Sequence, residues 1–202
     1  MQDESDRLRF MQGLYLYNDK NLLNRNTRRF TEKTTFKNEK EPLVSVYAYC
    51  LMDNHYHILL SPVDNDPANL SAFMRKLNMG YSKYFNEKYE RSGALWQGKS
   101  KKIHINNDSH FNYIPYYIHL NALDFKFKEW RNGEVKNIKM AYASLLEYRW
   151  SSFKDYNSIR NYPSIIDKSL LAPILKTSQN QYAELTSIIQ DSAKASHASI
   201  IE

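Results

Sequence analysis

The stretch from Leu43 to Leu60 constrains this chain more than any other. Leu43 to Leu51 is an apolar, β-branched and aromatic run, Met52-Asp53-Asn54 supplies turn chemistry, and Tyr56 to Leu60 is apolar again. That order predicts a β-hairpin spanning Leu43 to Ser61. Alternation along its second strand puts His55 and His57 on one face and Tyr56 on the other. Two imidazoles about 6–7 Å apart along a strand can share one divalent metal ion if a third ligand comes from elsewhere. The other reading of the same pair is two surface or hydrogen-bonded histidines, because His-x-His is a short pattern.

The chain is long enough for one domain with a real core and too short for two large ones, at 202 residues. It carries 28 Lys and Arg against 22 Asp and Glu, a net charge of +6. That is the mild basic bias of a nucleic-acid binder. Sixteen tyrosines and nine phenylalanines suit either an aromatic core or stacking on unpaired bases. The single cysteine, Cys50, lies inside the apolar run, which excludes an intrachain disulfide or a thiolate metal cluster. Residues 1–30 hold charges throughout and lack the apolar segment of a signal peptide. Val44 to Met52 falls far short of the ~20 apolar residues of a membrane span. A soluble, cytoplasmic protein with no membrane partner is the expectation.

In chain order, residues 3–18 read as a helix, capped by Asp3 or Ser5, with Leu8, Met11, Leu14 and Tyr15 at helical spacing. Asn21 to Glu41 is polar and holds Arg25, Arg28, Arg29, Lys33, Lys37 and Lys40; it is either a solvated loop or an arm that touches phosphates. After the hairpin, Asp66-Pro67 forms a helix start. Leu70, Phe73, Leu77, Tyr81 and Tyr84 make the apolar stripe of that helix. Gly80 interrupts it at a cost of about 1 kcal/mol, which points to close packing. A turn at Arg91-Ser92-Gly93 precedes a short basic strand over Lys99 to Ile105. Asp108 or Ser109 then caps a helix running to Asn121, with Pro115 inside it. Phe125 to Lys139 is charged and irregular. Ala141 to Trp150 and Ser169 to Gln190 read as helices, with a loop at Ser151 to Pro163 between them. The expected division is a domain over 1–124 and a mainly helical extension over 125–202.

Two histidines on a strand, followed sixty residues later by a tyrosine on a helix, form the layout of a single-tyrosine HUH nuclease. Asn54 to Leu60, Tyr84-Phe85-Asn86, Gly93 to Lys99 and Tyr117-Ile118-His119-Leu120-Asn121 resemble, in order, motifs of the REP-associated tyrosine transposases. These belong to the single-tyrosine HUH transposases of insertion sequences. Tyr148-Arg149-Trp150-Ser151-Ser152 resembles a further motif of that group, so the likeness covers roughly residues 3–160. Asp53 stands where that group commonly has proline.

The resemblance implies an α+β fold, a ferredoxin-like antiparallel sheet with helices on one face. It implies His55, His57 and Asn121 as ligands of Mg²⁺ or Mn²⁺, and Tyr117 as nucleophile. The expected activity is nicking and joining of single-stranded DNA near hairpins through a 5′-phosphotyrosine, as a metal-dependent transposase or endonuclease. Arg75, Lys99, Lys101 and Lys102 are the candidate phosphate contacts. Single-stranded DNA or a DNA hairpin is the expected partner, and a homodimer is an open possibility. Members of the group usually open with a strand ahead of the first helix. Here the sequence starts at the edge of that helix, so two expectations stand: either the true start lies upstream, or this form has an incomplete sheet with an open edge. Two alternatives stay open: a DNA-binding relative that no longer cuts, and a phosphodiesterase that uses water, for which Tyr117 would be dispensable. Trp96 is expected in the core, and His119 is expected to point away from the site.

Overall fold

The structure, a computed structural model, describes residues 1–21, 40–98, 100–175 and 178–191. Most of the basic stretch from Asn21 to Glu41, and Lys99, lie outside the described residues. The described chain is α+β, with helices α1 (Glu4–Leu16), α2 (Pro67–Lys88), α3 (Asp108–Leu120), α4 (Ile138–Glu147), α5 (Phe153–Tyr156) and α6 (Ser178–Asp191). Its sheet is the hairpin of β1 (Val44–Leu51) and β2 (Tyr56–Pro62). None of these helices is long and apolar enough to cross a membrane.

The chain divides into two compact units. The first comprises Met1–Ser45 and Leu60–Ser100. Here Asp3 caps α1 in a full capping box, its side chain taking the Asp6 N–H while Asp6 returns the bond to the cap. Asp66 caps α2 with Pro67 at the first helical position, as its sequence dictates. Lys88, at the end of α2, reaches Asp3 at 2.5 Å and Asp6 at 2.7 Å and so ties the two helices together. The same contact holds both carboxyls below the usual range. Phe10, Tyr81 and Trp96 pack edge-on and tilted at 5.3–6.4 Å between ring centres, which makes Trp96 a packing residue. Gly80 has its close approach: a Cβ there would lie 2.2 Å from the Tyr17 ring.

The second unit comprises Val46–Leu59 and Lys101–Glu202 and carries its own core. Ala48, Cys50, Ile118, Leu120, Leu123, Trp130, Leu145 and Phe153 are buried in it. Burial holds the Cys50 thiol far above its usual pKa, so it is an inert core group. The outer edge of β1 is covered, not open as expected. Leu51 N–H donates to Trp150 O at 2.9 Å, Ser152 N–H to Tyr49 O at 3.1 Å, and the Tyr156 hydroxyl to Tyr47 O at 2.7 Å. Residues 148–156 thus supply the hydrogen bonds that a neighbouring strand would have made.

Other boundaries shift for local reasons. Asn107, not Asp108 or Ser109, caps α3 by accepting the His110 N–H at 2.8 Å. The strand expected over Lys99–Ile105 does not form at Lys101–Ile105. Lys101 to His104 are all exposed and make no ladder, and a strand without a partner leaves its backbone to water. The irregular stretch after Asn121 contains two 3₁₀ turns, Asn121–Phe125 and Lys128–Asn132. α4 starts and stops earlier than the pattern suggested because Asn137 takes the Met140 N–H as its cap. α6 begins at Ser178, and the residues before it from Ser169 to Leu175 turn without a helix.

Candidate active site

His55 closes the hairpin turn, its carbonyl accepting the Met52 N–H at 2.9 Å, and His57 sits one residue inside β2. The two imidazoles stand side by side, ring centres 5.1 Å apart and nearly perpendicular. His55 is exposed, and its Nδ1 lies 2.7 Å from Asn54 Oδ1. With Nδ1 donating to that oxygen, the lone pair is on Nε2. The Nε2 of His57 is buried and has no hydrogen-bond partner among the described residues. Desolvation, with the neighbouring His55 and Arg131 adding, pushes the His57 pKa down to about 4. His55 is lowered too, chiefly by desolvation. Both rings are therefore neutral near pH 7, which is the state in which imidazole binds a metal.

α3 brings Tyr117 to this pair. Its ring centre is 6.0 Å from that of His57, and the rings meet edge to face. Tyr113, one turn earlier, packs on the same side with its ring 6.0 Å from Tyr117. Tyr116 points elsewhere and donates to Ile174 O at 3.2 Å. Burial raises the Tyr113 pKa and pushes that of Tyr116 up to about 12, so neither is favoured as a phenolate. His119 is fully buried, with Nε2 2.8 Å from Ser152 Oγ, and faces the core as expected.

Asn121 follows α3 and is fully buried. Its amide nitrogen donates to Tyr117 O at 2.8 Å, while its oxygen accepts Arg131 Nη2, also at 2.8 Å. A divalent cation bonded to that oxygen would therefore meet a guanidinium already in place. The orphaned His57 Nε2 and the oriented His55 fit a cation; the Asn121 oxygen is occupied by Arg131. Among the described residues no three His, Cys, Asp or Glu side chains gather as a metal site.

Arg131 carries no signal in the sequence. It lies in the stretch from Phe125 to Lys139, where charged residues alternate irregularly and no motif marks one above the others. Only the 3₁₀ turn of Lys128–Asn132 places it against Tyr117. An open cleft of about 320 Å³ runs beside this group, lined by Met52, Asp53, Asn54, His55, Asp124, Phe125 and Lys128. Of the expected phosphate contacts, Arg75 is exposed in the first unit and Lys101 and Lys102 are exposed in the second.

The chain matches the family model described as "Transposase IS200 like" over residues 15–121, just over half of its length. His55, His57, Tyr117 and Asn121 all fall inside the match, and Arg131 lies beyond it. No curated protein and no solved structure matches the chain.

Proposed function

Because the chain belongs to the IS200-like transposase family, we propose that it nicks and rejoins single-stranded DNA near hairpins through a 5′-phosphotyrosine on Tyr117. The observation that carries this reading is the convergence on Tyr117, within one compact unit, of the His57 ring at 6.0 Å and the Arg131 guanidinium. The closer relation to REP-associated tyrosine transposases, the ferredoxin-like sheet and the division at residue 124 belong to the same reading. They rest on the motif likeness.

In the reaction the Tyr117 oxygen attacks the phosphorus of a DNA phosphodiester. The Tyr117 O–P bond forms as the bond to the 3′ oxygen breaks. The phenol gives its proton to solvent, and the departing 3′ oxygen takes one up. Rejoining reverses the step, with a 3′-hydroxyl as the attacking group. His55 and His57 would hold Mg²⁺ or Mn²⁺ through their Nε2 atoms. Such an ion, when bound, polarises the phosphate as a Lewis acid. Asn121, bonded to the Tyr117 carbonyl, fixes the end of α3 on which the nucleophile stands. Lys101 and Lys102, exposed in the same unit, and Arg75 and Lys99 supply the sequence-independent attraction to the backbone.

Incubation with a labelled single-stranded oligonucleotide beside a hairpin, in Mn²⁺, tests the reading. The wild-type protein is expected to yield a denaturation-resistant adduct joined through the 5′-phosphate. Tyr117→Phe should lose it while still binding DNA; Tyr113→Phe and Tyr116→Phe should keep it. Cutting by Tyr117→Phe would identify water as the nucleophile. DNA binding without any cutting by wild type would identify a relative that has lost the chemistry.

A further inference from the structure

Arg131 makes more directed contacts at the site than any histidine there. Its Nε donates to Asp124 Oδ1 at 3.1 Å and its Nη2 to Asp124 Oδ2 at 2.7 Å, a two-point grip that fixes the plane of the guanidinium. The second Nη2 hydrogen goes to Asn121 Oδ1 at 2.8 Å. Trp130 lies under the group at 4.7 Å from its ring centre, and its indole N–H donates to the same Asp124 oxygen at 2.6 Å. Only Nη1 is left loosely engaged, with one contact of 3.4 Å to the Tyr117 hydroxyl. A guanidinium has five N–H donors, and four of them have the partners just named. The fifth, on Nη1, is on the nitrogen that faces Tyr117. The side chain keeps about a third of its surface open to solvent.

We propose that Arg131 is the phosphate-holding residue of this site, its Nη1 edge taking a non-bridging oxygen of the phosphodiester that Tyr117 attacks. This rests on the strand-transfer reading above. An oxygen on the phosphorus bonded to Tyr117 falls within reach of a donor that already touches the Tyr117 hydroxyl. Asp124, Asn121 and Trp130 hold the rest of the guanidinium, so the phosphate meets a donor that is already oriented. The long 3.4 Å contact is the one such a ligand would replace at least cost. Asp124 and Trp130 are positioning residues in this scheme, acting through Arg131.

Two measurements on the full chain test it. The first is the salt dependence of single-strand binding in EDTA, where no chemistry occurs. The double variant Asp124→Asn/Arg131→Gln removes one charge of each sign, so the net charge stays +6 and no charge of the Asp124–Arg131 pair is left without its counter-charge. Losing one phosphate contact should lower the slope of log K against log salt by about 0.7. The second is the rate of adduct formation in Mn²⁺, expected to fall about a hundredfold in Arg131→Gln while Tyr113→Phe keeps the wild-type rate. If the double variant does not fold, Arg131→Lys serves: it keeps the charge but loses the fork, so it should keep the salt slope and slow the adduct. An unchanged slope in the folded double variant overturns the phosphate contact, even where the adduct slows. A wild-type adduct rate in Arg131→Lys overturns it as well. A lowered slope with no adduct from wild type would leave Arg131 as a phosphate ligand and remove the strand-transfer reading instead.

Discussion

Ser152 meets Tyr49 as a neighbouring strand would: its N–H donates to the Tyr49 carbonyl at 3.1 Å and its Oγ accepts the Tyr49 N–H at 3.0 Å. The same Oγ lies 2.8 Å from His119 Nε2, so one hydroxyl ties the edge of β1 to α3, the helix that carries Tyr117.

Ser152→Ala should therefore leave a buried backbone N–H and a buried imidazole nitrogen without partners. The expected loss is about 1–3 kcal/mol in urea unfolding, with more oligomer on gel filtration as the β1 edge loosens. A variant as stable and as monodisperse as wild type would show that the edge is held by something other than this serine.

His119 gives the fold a pH dependence whose sign follows from its burial. Desolvation lowers its pKa to about 3 in the folded chain, against about 6.5 unfolded. Between these values the unfolded chain binds a proton that the folded chain refuses. Stability is thus fully present above pH 6.5 and falls as the pH drops toward 3, by up to about 1.4 kcal/mol per pH unit. Urea midpoints measured from pH 7.5 to 4 should show the slope, and His119→Gln should make it shallower, with His57 and His55, whose pKa values desolvation also lowers, keeping the remainder. Parallel curves for the two proteins would assign the slope to other groups.

The imidazole pair predicts a graded metal response. His57→Ala should abolish binding of Mn²⁺ to the free protein, read by titration in the absence of DNA. Asn54→Ala, which frees the His55 ring to rotate, should weaken it about 10–100-fold. Asn121→Ala should change Mn²⁺ affinity little, since its oxygen is bonded to Arg131. A large loss in the Asn121 variant would mean that the guanidinium yields this oxygen to the metal.

Gly80 offers a change of sign. In wild type, Gly80→Ala drives a methyl group into the Tyr17 ring and should cost about 1–3 kcal/mol. In a Tyr17→Ala background the space is open, and the same change should stabilise α2 by about 1 kcal/mol. Equal effects in both backgrounds would break the link between the two residues.

The sequence by itself determined the local pieces. The hairpin, the Asp66 cap with Pro67, the placing of His55 beside His57 and of Tyr117 one turn from both Tyr113 and Asn121 all follow from periods and capping chemistry that act within a few residues, whereas the choice of Asp3 over Ser5 as the cap of α1 came from the structure. The motif order pointed to the transposases of insertion sequences, and the match over residues 15–121 supports that broader family, IS200-like. Tertiary structure decided what depends on residues far apart in the chain. The strand expected around Lys101–Ile105 failed because alternation does not supply a partner ladder. The edge of β1 was closed by residues 148–156, about a hundred positions away, and nothing in Tyr49 announces a bond to Ser152. Arg131 reads in sequence as one charge among many, and it enters the site only because the chain after α3 folds back so that Asp124 and Asn121 can hold it. Short-range physics is written in neighbouring residues; a side chain's partner across a fold is set by packing the whole unit, and no local period encodes it.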